Sequence, residues 1–285
     1  MPDGGGVSRV RHALAALLVA AAFVPRGPLL AQDSASDPHA VQPERPTVAT
    51  HAGTVAPGWI EFEAGAEFDR YAGGAHGVTT PLVTKIGLAP RFQLTIAASL
   101  TRPPGIADAG FGDAMVGLKW RVAEHAPLVG DFALLPFLKV PSGSAASGTG
   151  TGTTDVTLLL ISSHAFGPYS LDVNAGYTRR SGSGATAPRD ATLWTVSAGG
   201  PVAGALGWTG EVYGYPTTRG PAGAAAIVAV LGGPTLLVRK WLALDAGVIL
   251  PLTGAQPRAV YVGGVCNAGR LWGRPAHHVI EKKPA

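Results

Sequence analysis

The 285-residue sequence predicts an all-β fold, a transmembrane antiparallel up-and-down β-barrel of about 12 strands, the even count that single-chain bacterial barrels show. Segments such as WIEFEAGAEFD at 59–69 change character at every second side chain, as a strand with two unlike faces does. Glycine- and proline-rich connections separate such segments at regular spacing along the chain. The chain is also apolar, with a mean hydropathy of +0.23 and only 14% charged residues. Beyond the N-terminus, however, no apolar run approaches the ~20 residues of a membrane helix.

At the N-terminus, Arg9, Arg11 and His12 precede the apolar run ALAALLVAAAFV at 13–24, and a small-residue cleavage position follows at Ala31. This order predicts a secretory signal peptide over 1–31. The alternatives, a membrane anchor or a buried helix, suffer from the shortness of the run. Residues 32–57, QDSASDPHAVQPERPTVATHAGTVAP, are polar and proline-rich without a sustained period, and read as a flexible or loosely docked arm. The barrel follows over 58–272, and 273–285 is a polar tail.

Within the barrel, strands are expected near 59–69, 78–88, 91–100, 111–122, 130–140, 154–165, 168–178, 189–199, 207–215, 224–238, 241–250 and 258–271. In 91–100, Phe92, Leu94, Ile96, Ala98 and Leu100 alternate with Gln93, Thr95 and Ser99. In 168–178, Tyr169, Leu171, Val173, Ala175 and Tyr177 oppose Ser170, Asp172, Asn174 and Thr178. Connections such as RYAGGAHG, PSGSAASGTGTGT and RRSGSGATAP are long or glycine-rich, whereas AP, FGP and VRK are tight, matching long outer loops and short inner turns. Two inner connections, 123–129 and 200–206, are longer than this pattern wants. Segment 224–238, AAAIVAVLGGPTLLV, does not alternate, and a buried helix is its alternative reading.

The polar series is too charged for a soluble core, because buried unpaired charges are costly. In a barrel it faces the lumen. Candidate lumen-lining residues are Glu61, Glu63, Glu67, Lys85, Asp113, Lys119, Arg121, Lys139, Asp172, Glu211 and Asp245. Mixed charges on a wet wall pair with one another or bind water. Trp59, Tyr169, Tyr177, Trp208, Tyr215, Trp241 and Trp272 sit near strand ends, as interfacial girdles do. Arg70, Arg102, Arg179, Arg180, Arg189, Arg219 and Arg258 fall in or beside the outer loops, where anionic headgroups would meet them.

Several chemistries find no support. The single cysteine, Cys266, excludes an intramolecular disulfide framework. A net charge of +4 comes from scattered basic residues without a nucleic-acid-binding motif. The glycine-rich stretch 142–153 lacks the GK[ST] ending of a phosphate cradle. Ser162, Ser163 and His164 come without a nucleophile elbow, His277 and His278 are adjacent in the tail, and Glu61 with Glu63 suits a pore wall better than glycoside chemistry. No catalytic residue and no cofactor or metal is expected.

The stretches VAPGWIEFEAG (55–65), GLAPRFQLTIAAS (87–99), FGDAMVGLKWRV (111–122), FLKVPSGS (137–144), YSLDVNAGYTR (169–179) and AVYVGGVCNAGRLW (259–272) resemble the outer-membrane transporter family assigned to the meta-pathway of phenol degradation. FGD followed by G-x-K-[WYF]-R is the most specific piece. The resemblance implies a Gram-negative outer-membrane barrel that passes small hydrophobic or aromatic compounds, and it supplies no catalytic residues. Trp272 would serve as the closing aromatic residue, although GRPAHHVIEKKPA follows it. A passive channel is the leading expectation. The alternatives are a structural barrel binding lipopolysaccharide or a partner, and a lipid-modifying enzyme. Outer-membrane lipid and lipopolysaccharide, a small-molecule solute and the barrel-assembly machinery, through the last strand, are the expected partners.

Overall fold

The computed structural model describes residues 37–273. The expected signal peptide at 1–31 and the tail from 274 onward lie outside the described residues. The strands are β1 (Trp59–Arg70), β2 (His76–Ala89), β3 (Phe92–Arg102), β4 (Gly110–Phe111), β5 (Ala114–Ala126), β6 (Gly130–Val140), β7 (Asp155–Phe166), β8 (Tyr169–Arg180), β9 (Asp190–Ala203), β10 (Leu206–Tyr215), β11 (Ile227–Arg239), β12 (Leu242–Thr253) and β13 (Arg258–Arg270). β4 has two residues and merely extends the end of β3 through Leu100 and Thr101. The other twelve form the barrel, each antiparallel to its neighbour in sequence. β1 closes the ring on β13 from Trp59↔Arg270 to Arg70↔Arg258.

The barrel strands run from 10 to 14 residues, enough for the ~9–11 that a tilted strand needs to cross hydrocarbon. Their two faces invert the soluble pattern. Val262 and Val260 on the outer face are 52% and 54% exposed, whereas Lys85 and Lys119 on the inner face are 0% exposed. Phe62, Phe68, Val116, Leu118, Leu158 and Leu244 continue the exposed apolar belt around the wall. Leaving such a belt in water would be unfavourable at ~25 cal/mol per Å², so the face belongs in lipid.

At one end of the barrel the start of β1 and the end of β13 lie with tight turns, two residues between β2 and β3 and two between β9 and β10. We call this the turn end, and the opposite one, with the longer connections, the loop end. The overlong inner connections of the sequence reading disappear because the strands run further than the alternation showed. β5 continues to Ala126, with His125 and Leu128 in left-handed conformations and His125 N–H donating to Asp131 Oδ1 at 2.8 Å.

Segment 224–238 is a strand, β11 from Ile227, and the helical alternative falls away. Its missing alternation has a local cause. The inward Ala229 and Leu231 pack on Tyr213, Ile249, Ala259, Tyr261 and Val48. The lumen is apolar at that level, so both faces of the strand are apolar.

Candidate functional site

Residues 37–57 are not a loosely docked arm. They enter from the turn end, arch across the lumen and return to the turn end to join β1. Lys240 holds the entry, through an ion pair to Asp37 at 2.8 Å and through its carbonyl, which accepts from Val41 N–H at 2.8 Å. The His39 ring lies 4.8 Å from the Trp59 ring and 6.3 Å from that of Trp241. Those two tryptophans, expected in a lipid girdle, therefore close on the arm. At the exit Gly58 N–H donates to Gly87 O at 2.7 Å, and a Cβ on Gly87 would strike the Ala56 carbonyl at 2.1 Å.

The arm has no regular secondary structure, so its buried amides need other acceptors. The barrel wall supplies them from strand after strand. Glu61 accepts from Gln42 N–H at 2.8 Å and Glu63 from Glu44 N–H at 2.9 Å. Glu211 accepts from Val48 N–H at 2.8 Å and from Ala49 N–H at 2.7 Å. Asn174 accepts from Thr50 N–H at 2.7 Å and donates to Thr50 O at 2.9 Å. Ser163 Oγ accepts from Ala52 N–H at 2.8 Å, and Gln93 from Val55 N–H at 2.9 Å. Hydrogen bonds to carboxylates are about twice as strong as neutral ones, which suits Glu61, Glu63 and Glu211 to holding a chain that has no regular backbone ladder of its own.

Two lysines bind the arm from the opposite sign. Lys85 Nζ lies 2.6 Å from Glu61 and 2.5 Å from Glu63, and donates to the Gln42 carbonyl. Lys119 pairs with Glu44 of the arm and donates to Thr50 Oγ1 at 3.0 Å and the His51 carbonyl at 2.8 Å. Arg45 of the arm pairs with Asp245 at 3.3 Å. It occupies space left by the paired Gly65 and Gly263, where a Cβ would come within 2.3 and 2.4 Å of its guanidinium. Burial by itself would raise the Glu44 carboxyl, but Lys119 and Lys85 outweigh it and hold Glu44 below the usual carboxylate range. Burial, reinforced by the Lys119 charge, pushes the His51 imidazole down to about 3.

The arm divides the lumen. Toward the turn end, a cavity of about 360 Å³ is lined by Gln42, Pro43, Ser170, Thr209, Thr235 and Asp245. Toward the loop end, a cavity of about 340 Å³ is lined by Val83, Leu135, Phe137, Leu159 and Tyr261, with Val48 of the arm as its floor. A second cluster lies at the loop end itself. Asp113, just before β5, accepts from Gly143 N–H and Thr151 N–H at 3.0 Å each and pairs with Lys139 at 2.7 Å. Lys139 also pairs with Asp155 at 3.0 Å, and Asp155 with Arg180 at 3.2 Å. Burial would raise Asp113, yet Lys139 and the two amides hold it below its ordinary value.

The predicted lumen residues thus occupy several settings. Glu61, Glu63, Lys85, Lys119, Glu211 and Asp245 contact the arm, whereas a wet wall on which they pair with one another or bind water was expected; the pairing of Lys85 with Glu61 and Glu63 is present, and the arm takes the place of the water. Asp172 accepts from Ser163 Oγ at 2.5 Å, next to the Ala52 contact. Asp113 and Lys139 tie the 141–154 loop, and Glu67 lines the loop-side cavity. Arg121 lies at the turn end, 2.9 Å from Glu124 and 3.8 Å from Asp131. Ser162 and His164 touch at 3.1 Å, but among the described residues no carboxylate hydrogen-bonds to His164. Sequence reasoning missed the neutral hooks Gln93, Ser163, Asn174 and Asn267, the last donating to Pro38 O at 3.3 Å, and the arm's own Glu44, Arg45 and His51. Gly65 was the legible sign, a residue without a side chain in a series of carboxylates.

An apolar belt around a charged, plugged interior defines a transmembrane β-barrel of the outer-membrane type. The chain belongs to the family described as "Putative MetA-pathway of phenol degradation", which it matches over residues 44–259. No curated protein matches it. Among solved structures it is similar to an outer-membrane channel from Pseudomonas putida F1, at 12% identity and a TM-score of 0.58, over 75% of this chain and 97% of that one. It also resembles the NanC porin, at 8% identity and a TM-score of 0.48, over 73% of this chain and 98% of the porin. The match to the channel concerns the fold.

Proposed function

We propose that this protein is a passive outer-membrane channel for small hydrophobic or aromatic compounds, with residues 37–57 as its internal restriction. The turn end then faces the periplasm and the loop end the exterior, as in barrels with short inner turns and long outer loops. One observation carries the reading. Between the charged cluster at the loop end and the ion pairs at the arm, the barrel wall is mostly apolar, with Val83, Leu135, Phe137, Leu159 and Tyr261 facing the cavity beside Glu67 and the arm's Glu44 and Arg45. Such a section takes up an aromatic ring by burying its surface while offering little to a hydrated ion. Transport down a gradient needs no energy source, and the reading includes no catalytic step. The same reading assigns contact with the barrel-assembly machinery to the last strand, β13.

The buried pairs at Lys85 and Lys119 favour a second reading, a closed barrel whose lumen is structural filling. Flux into proteoliposomes separates the two. A small aromatic solute should enter faster than a sugar of similar size, and Leu135→Asp should slow the aromatic solute while leaving the fold intact on a heat-modifiability gel. Equal, background-level flux of both solutes would favour the closed barrel.

A further inference from the structure

The outer face of the barrel carries a group of basic residues at the loop end that the lumen does not use. On β1, Arg70 ends the outward series Phe62, Ala64, Ala66 and Phe68. Its direct partners across the sheet are Arg258 on β13 and His76 on β2. Val78, two residues along β2, is paired with Arg102 on β3. Arg258, Arg70 and His76 thus form one row across three adjacent strands, and Arg102 stands one step deeper beside them. With neighbouring strands spaced by about 4.8 Å, the row spans about 10 Å.

Like charges directly opposite each other on a sheet are destabilising. Here two arginines face each other, yet among the described residues no carboxylate lies within ion-pair distance of Arg70, Arg102 or Arg258. Two of the arginines near the other loops are neutralised internally. Arg179 pairs with Asp190 at 2.6 Å and Arg180 with Asp155 at 3.2 Å. The unpaired group therefore fits an external anion. Directly below it the surface is apolar and recessed. A hollow of about 580 Å³ runs from the four basic residues onto Phe68, Val78, Val248, Leu250 and Val260, with the buried Asp69 also on its wall; Val248, Leu250 and Val260 are between 44% and 54% exposed and Phe68 48%.

We infer that this surface is a binding site for a phosphorylated glycolipid of the outer leaflet, with its phosphates on Arg70, Arg102, Arg258 and His76 and its acyl chains along the hollow beneath. A planar guanidinium binds phosphate through two parallel hydrogen bonds, and a row about 10 Å long accommodates the phosphates of one headgroup. A soluble phosphate would use the arginines alone. The apolar hollow, continuous with the lipid belt, selects a ligand with chains. The site rests on placing the loop end outside, as the channel reading does, but it does not depend on transport.

The test is native mass spectrometry of the refolded full chain in detergent, titrated with bis-phosphorylated lipid A, with dephosphorylated lipid A and with inorganic phosphate. One bis-phosphorylated lipid should remain bound to the protein. The variant Arg70→Gln/Arg102→Gln/Arg258→Gln should bind it at least tenfold more weakly, while the charge control Arg179→Gln/Arg189→Gln should not change. Equal binding by the triple variant, equal retention of dephosphorylated lipid, or binding of inorganic phosphate that the lipid does not surpass would each overturn the site. Heat-modifiable migration shows whether each variant is folded. Orientation is read separately, from labelling of Ser147→Cys on whole cells with an impermeant maleimide. Absence of labelling would overturn the outward placement of the loop end, whatever the titration shows.

Discussion

Lys119 and Glu44 are the residues that decide how firmly the arm is held. Both are removed from water, and removing one partner of a buried pair costs about 3–5 kcal/mol, because the other charge is left uncompensated. Lys119→Met should therefore speed amide exchange at Val48, Ala49 and Thr50, and Glu44→Gln added to it should restore part of the protection. Unchanged exchange in the single variant would show that the pair does not hold the arm. The pH dependence follows from His51, which ionises near 6.5 when free and at about 3 in the barrel. Between those values the released arm binds more protons, so docking strengthens as pH rises. It is complete above 6.5 and declines as pH falls toward 3, and Glu44, held below its ordinary range, acts in the same direction. Amide exchange of the arm at neutral and acid pH measures this, and His51→Gln should remove the upper part of the dependence.

At the scale of elements, alternation made most strands legible because their two faces meet different media. Glu61, Glu63, Lys85 and Lys119 could be placed on the inner face from their position in the period alone. The same signal gave no access to what they touch. The arm satisfies its amides through wall side chains far away in sequence, such as Glu211 for Val48 and Asn174 for Thr50, and a segment without period carries no mark of such contacts. β11 was obscured for a different reason, since Ala229 and Leu231 line an apolar stretch of lumen and the outer face is apolar as well. The belt itself is testable. Val262→Arg should destabilise the barrel by about 2–4 kcal/mol, the range for a cation at the midplane of a barrel's lipid face, in urea unfolding from bilayers. The loop end has its own tether. Asp113→Asn removes the pair with Lys139 and weakens the bonds from Gly143 and Thr151, and residues 141–154 should become more susceptible to proteolysis without a change in barrel unfolding.

For the whole molecule, the twelve-stranded wall, the arm and the loop cluster act in series along one axis. The wall is continuous, closed by β1 on β13, so passage depends on what lies inside it. On the channel reading proposed above, a solute entering at the turn end meets the His39, Trp59 and Trp241 group, then the arm with its lysine and carboxylate pairs, then the mostly apolar cavity, and last the cluster of Asp113, Lys139 and Asp155. Among the described residues, the arm crosses the lumen without belonging to the sheet. Single-channel conductance in planar bilayers tests its role most directly, comparing the intact chain with Lys119→Met/Glu211→Gln and with a form lacking residues 37–57, each first verified as folded by heat-modifiable migration. The intact chain should give small or rare conductance steps, the hook variant larger and noisier ones, and the form without the arm large and steady ones. Equal conductance in all three would contradict the arm as the restriction and place the barrier elsewhere in the lumen.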